Sequence, residues 1–370
     1  HMRYHEKVYE EINDNEIGNV LQDMYLANGK IYFITQNGKT SSMGTTFNGD
    51  GRFVVCDAHT MKRLVARDMP FYANIDTSTG ATQSSKSTLC WPQHIVVVSP
   101  EKAYIQYSTA DNESHSGIRI VDLQTNIIRT SDIPGTFGVF TKTGATKARM
   151  VFSRGKVFAG RGNSVIVLDP ATDAVIKTVT YENRQVKDLA KGYDGKIYAI
   201  FTGEFTGNSG MTGAASFTKP AMIVALDANG EVVSETNLPE QIELRTGTAS
   251  PTVQMCASFT QPHLYFIGKQ DFSAYEAMRY NYETGRVNWD YITAALDAES
   301  SGGSIIYGYM GVHPTTEQLW VGKSSYTNSR IHVYDVSRSD ALEFSSFYQK
   351  KASPAGVDFA YRFSDEWINK

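Results

Sequence analysis

The chain has 370 residues, 41% of them hydrophobic and 20% charged, a length that allows two ordinary domains or one large repeat protein. Its 30 glycines and 21 tyrosines favour strands and turns over helices, and a net charge of −4 with no basic run argues against a nucleic-acid footprint. No stretch approaches the roughly 18 apolar residues of a membrane span, and Cys56, Cys90 and Cys256 are too few and too scattered for a disulfide framework or a zinc site.

His1-Met2 resembles a cloning remnant, which leaves 3–370 as the expected single domain. Glu6-Lys7-Val8-Tyr9-Glu10-Glu11-Ile12 alternates and reads as a strand. A short element then recurs: Lys30-Ile31-Tyr32-Phe33, Lys102-Ala103-Tyr104-Ile105, Lys156-Val157-Phe158-Ala159, Lys196-Ile197-Tyr198-Ala199, His263-Leu264-Tyr265-Phe266 and Gln318-Leu319-Trp320-Val321. Each copy has a polar starter, an apolar residue, an aromatic and another apolar residue, a strand pattern whose aromatic packs between neighbouring units. Each is followed by an apolar alternation ending at Asp57, Asp122, Asp169, Asp227, Asn281 or Asp335. A turn comes next, in which that Asp or Asn is expected to accept from amides just ahead. A further run precedes each aromatic element, beginning at Asp23, His94, Arg149, Asp188, Val253 and Ile305.

Each unit therefore holds four strands, a to d, the content of a propeller blade. A seventh first strand is read at Gly356–Tyr361, and the N-terminal strand is expected to complete that last unit. The expected fold is an all-β propeller of seven four-stranded blades, with six or eight left open by the spacing.

Strand alternation puts the a–b and c–d turns at one end of a unit and the b–c and d–a connections at the other. The first set is tight, as in Ala27-Asn28-Gly29, Ser153-Arg154-Gly155 and Glu283-Thr284-Gly285. The second is long and irregular: about 11 residues separate the aromatic from the turn Asp in the third unit, but about 29 in the fourth, and Ser108–Gly117 is read as such a connection in the second. Long connections in compact domains are commonly functional, so this end is the expected recognition surface. Its Ser, Thr, Gly and Asn are interspersed with Tyr72, Phe137, Phe205, Phe217, Phe272, Tyr275 and Tyr326. That mixture suits a large neutral ligand bearing amides and hydroxyls. Trp91, Gln93, His94, Arg149, Arg245 and Tyr307 stand where inner strands begin and are expected to line the mouth of the site. No Gly-x-Ser-x-Gly elbow, phosphate-cradling loop or His-Glu-x-x-His pair occurs, and no two acids stand at a catalytic spacing. No catalytic residue, metal ligand or cofactor is assigned.

The repeat of Gly/Lys-apolar-Tyr followed by apolar-Asp-x-x-Thr, as in Gly29–Phe33, Val165–Val179 and Gly195–Ala199, resembles the YncE-like propellers over nearly the whole chain. The stretch from Val157 to Val175 and the strand start Gln93-His94-Ile95 are most similar to the Bacteroidetes surface propellers, among them BtuG-like lipoproteins. That resemblance implies an exported protein at the outer-membrane surface or in the periplasm, anchored through a lipidated cysteine in a leader. It also implies capture of cobalamin for delivery to a TonB-dependent transporter. A siderophore-binding propeller, a protein-interaction scaffold and a hydrolase or lyase acting on a glycan or lactone are the alternatives.

Overall fold

The computed structural model describes residues 5, 7–37, 52–67, 72–73, 88–109, 115–139, 148–206, 216–239, 244, 255–267, 276–293, 305–306, 308–324, 329–348 and 355–370. The chain divides into two compact units, 1–142 with 168–176, and 143–167 with 177–370. Almost all of the described secondary structure is antiparallel sheet, in which strands a to d follow chain order.

Sheet one contains Asn19–Ala27, Lys30–Asn37, Phe53–Asp57 and Arg63–Arg67. Sheet two contains Thr88–Ser99, Lys102–Thr109, His115–Asp122 and Ile127–Asp132. It is widened by Tyr72–Ala73 beside strand a and Gly138–Val139 beside strand c. Sheet three is Val151–Ser153, Lys156–Arg161, Ser164–Asp169 and Ala174–Thr180. Sheet four is Val186–Lys191, Ile197–Phe201, Met222–Leu226 and Val232–Asn237. Its b–c connection carries a separate hairpin, Glu204–Thr206 with Ser216–Lys219. Sheet five is Met255–Ala257, His263–Ile267, Glu276–Asn281 and Val287–Thr293. In sheet six the first strand is interrupted, Ile305–Ile306 and Gly311–Val312, before Gln318–Ser324, Ser329–Asp335 and Leu342–Tyr348.

The repeated aromatics serve the role their spacing suggested. Tyr32, Tyr104, Phe158, Tyr198 and Tyr265 are all buried, each removal from water worth roughly 2–3 kcal/mol of transfer free energy. Tyr198 joins Ala190, Ile223, Leu264 and Phe266 in a cluster shared by sheets four and five, and Tyr265 joins Ile306, Leu319 and Val321 in one shared by five and six. The tight turns also behave as expected. Ala27 pairs with Lys30 across Asn28 (φ 52°) and Gly29 (φ 69°), the left-handed pair that a two-residue hairpin requires.

Among the described residues there are six four-stranded units, not seven. The N-terminal segment is a helix, Val8–Asn13, rather than a strand. Val8 and Ile12 stand four apart, so the run fits a helical period as well as an alternation, and Glu10 and Glu11 in its first turn suit the helix dipole. The helix buries Tyr9 against Phe33, Val54 and Cys56 of sheet one. Asn13 fastens it by donating to Met61 O (3.0 Å) and accepting from Arg63 N (2.8 Å).

The C-terminal segment expected to begin a seventh unit makes a single parallel bridge, Tyr309 with Gly356. It then turns through a 3-10 segment, Ala360–Phe363, into a short helix, Asp365–Ile368, whose Ser364 cap accepts from Trp367 N. This tail is bound by four sheets of the second unit. Arg149 and Arg154 meet it from sheet three, Lys191 from sheet four, and Tyr309 from sheet six. Phe259, which follows strand a of sheet five, packs edge-on against Trp367 at 4.6 Å. Several strands also run further than expected: Lys102–Thr109 and His115–Asp122 leave only 110–114 outside the described residues, where a longer connection was read.

Candidate functional site

Register shows what the first strands present. Tyr25, Val96, Val151, Ala190, Cys256 and Gly311 each lie opposite the repeated aromatic of their own sheet. Two residues earlier in the chain stand Asp23, His94, Arg149, Asp188, Gln254 and Tyr309. A register shift falls at this place in sheets one, two and four, and a bulge of that kind re-aims the side chain. The described members of this polar column knit neighbouring first strands together, Gln254 lying outside the described residues.

In the first unit Asp23 is buried. Its Oδ1 accepts from Met24 N (2.9 Å), and its Oδ2 accepts from Ile95 N (3.2 Å) and lies 3.4 Å from His94 Nδ1. In the second unit Asp188, 1% exposed, accepts from Arg149 N (3.3 Å), Leu189 N (2.9 Å) and Met255 N (2.7 Å). Burial pushes its carboxyl up to about 7, against the pull of those amides. Arg149 lies over the Tyr309 ring at 3.5 Å and ion-pairs with Asp358 (3.3 Å), which also holds Arg362 (3.0 Å).

Among the described residues, sheet two buries the largest group of polar side chains. Gln93, His94, Gln106, Ser108, His115, Ser116 and Arg119 are all buried there. Gln93 Nε2 donates to Ser108 Oγ (2.9 Å). Trp91 pairs with Ser108 across strands a and b, and its indole Nε1 is buried without a hydrogen-bond partner among the described residues. Phe137 stacks on His115 (6.4 Å between centroids, 22°), and Arg52 donates to Cys90 O (3.2 Å) at the same end. A buried donor left unspent costs about 1–3 kcal/mol, so Trp91 marks a place where a partner would be gained at little further cost.

Of the expected ligand-binding residues, Trp91, Gln93, His94 and Phe137 fall together in this part of the first unit. Tyr72 lies nearby in sequence order, its backbone paired with Leu89. Arg149 belongs to the second unit, where it holds Asp358. Phe205 and Phe217 face one another in the register of the sheet-four hairpin. Arg245, Phe272, Tyr275, Tyr307 and Tyr326 lie outside the described residues. Asp23, Asp188 and Asp358 were not anticipated, although aligning the first strands on their aromatic partners places Asp23 and Asp188 in the same column as His94 and Arg149. Ser108 and His115 were hidden in a segment read as a connection. Among the described residues no group of three or more His, Cys, Asp or Glu is gathered to hold a metal ion.

Antiparallel four-stranded sheets with buried aromatic repeats and bulged polar first strands define an all-β propeller. The chain belongs to the family described as a domain of unknown function, DUF5074, whose model matches residues 2–359. It is similar in fold to a quinonprotein alcohol dehydrogenase-like protein from Bacteroides thetaiotaomicron, at 15% identity and a TM-score of 0.60, over 95% of this chain and 72% of that one. It is also similar to the hydrazine synthase of Kuenenia stuttgartiensis, at 13% identity and a TM-score of 0.54, over 93% of this chain and 89% of that one. At these identities the likeness is one of fold. No curated protein matches the chain.

Proposed function

We propose that this protein is a non-catalytic binding protein. Its ligand is large, neutral and rich in amides and hydroxyls, and is held at the b–c end of sheet two. The observation that carries this reading is the buried polar group at that end, Gln93, Ser108 and His115 with the unspent indole N–H of Trp91, beside the stacked ring of Phe137. Rigid aromatic area beside fixed donors and acceptors recognises a solute through shape and hydrogen bonds rather than charge. Cobalamin is the first candidate: it has the required size, its side chains end in amides, and it is the ligand implied by the resemblance to BtuG-like propellers. On this reading the protein acts outside the inner membrane and passes its ligand to a TonB-dependent transporter.

The test uses colour. Purified protein is mixed with cobalamin, desalted, and scanned in the visible range. Retention of the corrin spectrum with the protein, lost in Trp91→Ala, is the expected result. Complete loss of colour from the wild-type protein at micromolar concentration removes cobalamin, and a ferric siderophore panel then tests the nearest alternative ligand. Equal retention by Trp91→Ala would instead move the site away from sheet two.

A further inference from the structure

A cleft of about 210 Å3 is lined from the tight turns of sheets four and five, at Asp194 and Glu283, along strands c and d of sheet four as far as Ile223 and Thr236. Drug-sized ligands fill pockets of roughly 300–1,000 Å3, so the occupant of this one is smaller. One wall is aromatic: Tyr282 stacks on Tyr198 (4.2 Å between centroids, 27°) and on Tyr193 (6.1 Å, 24°). Apart from Ile223, the other lining groups carry hydrogen-bonding side chains, Asp194, Lys196, Thr236 and Glu283 among them.

The charges are already paired in a way that selects among ligand classes. Asp194 accepts from Lys196 Nζ (2.8 Å) and Tyr198 OH (2.9 Å), and Glu283 accepts from Tyr193 OH (2.5 Å). A cation entering the cleft would compete with Lys196 for Asp194, and an anion would meet two carboxylates. A neutral polyol avoids both penalties. Its hydroxyls can donate to the remaining carboxylate lone pairs and accept from the ammonium, while its C–H face lies on a tyrosine ring.

We propose that this cleft is a second binding site, separate from the sheet-two site, for a neutral polyhydroxylated ligand the size of one sugar ring. Ser234, which also lines it, stands on the exposed outer strand Val232–Asn237, so Ser234→Trp fills the cleft without entering the core. The experiment is saturation-transfer NMR and calorimetry on the whole chain. D-glucose and N-acetyl-D-glucosamine are the probes, and choline and inorganic phosphate the charged controls. The expected result is millimolar binding of at least one sugar, weakened at least about 10-fold by Ser234→Trp at an unchanged unfolding temperature, with saturating cobalamin leaving sugar binding unaltered. Glu283→Gln, which keeps the shape of the cleft, should weaken the same sugar. Absence of binding by both sugars at about 50 mM overturns the site. Binding of choline or phosphate in their place overturns the ligand class, and sugar binding undiminished in Ser234→Trp overturns the location.

Discussion

A carboxylate or carboxamide that follows a strand can hold the next turn by itself. Asp57 accepts from His59 N and Thr60 N, Asp122 from Gln124 N and Thr125 N, and Asn281 from Glu283 N (3.0 Å) and Thr284 N (2.9 Å). Those bonds keep the Asp57 and Asp122 carboxyls below their ordinary range, and the Ser337 hydroxyl and N–H do the same for Asp335. Because Asn281 does the same work without charge, Asn281→Asp should be tolerated, whereas Asn281→Ala should cost about 1 kcal/mol in urea unfolding. Asp188 is the opposite case. Its folded carboxyl is raised to about 7 by burial, so the protonated form is favoured on folding. Stability from this group is complete below about 4 and is lost as pH rises through 7. In Asp188→Asn the amide nitrogen faces the Met255 N–H, so the variant should be weaker by about 1–3 kcal/mol at pH 5. That deficit should shrink or reverse at pH 8, as denaturation midpoints at the two pH values will read. A deficit independent of pH would mean that Asp188 is ionised throughout. The turn residues were legible from sequence because an Asp or Asn acts there on its immediate neighbours. Asp188 was not, because its partners Arg149 and Met255 come from other strands and are brought to it only by packing.

At the scale of elements, the tail Ala355–Lys370 shows how non-local contacts override a local pattern. Gly356-Val357-Asp358-Phe359-Ala360-Tyr361 alternates like a strand, yet Gly356 and Val357 make one short parallel bridge to Tyr309, and Asp358 is drawn to Arg149 and Arg362. Ser364 then caps a helix where a strand would have continued. Lys191 holds the end of the tail, its Nζ donating to Trp367 O (2.6 Å), Ile368 O (3.0 Å) and Ser153 Oγ (2.8 Å). Burial, with Arg154 and Lys370 nearby, lowers this ammonium to about 8 from an ordinary 10.5. Here the folded form binds its proton less tightly than the unfolded chain, so the contribution is full above about 10.5 and is lost as pH falls through 8. Lys191→Met removes that term. The stability of wild type relative to the variant should therefore rise by about 2 kcal/mol between pH 7.5 and 10, the full shift being reduced by partial solvent screening. A constant difference would contradict the assignment. The six strand quartets were readable from repeated aromatics and turns, whereas the two ends of the chain carried periodicities short enough to fit either helix or strand.

For the whole molecule, the antiparallel order within each sheet is what gives the connections their meaning. In every described sheet the a–b and c–d turns leave one end and the b–c and d–a connections the other. The recognition reading belongs to that second end, and in the first unit Trp91, Gln93, His94 and Phe137 lie there. The expectation of a recognition end came from the uneven connection lengths in the sequence. The particular groups that concentrate in sheet two were not legible there, since Ser108, His115 and Ser116 read as part of a connection until the strand register buried them. Amide hydrogen exchange with and without saturating cobalamin tests this placement most directly. The account predicts slowed exchange over Cys90–Ile95 and His115–Ile118, with the c–d turns at Asp57 and Asp122 unchanged. Slowing confined to those turns, or no slowing anywhere while the protein retains the coloured ligand, would contradict it.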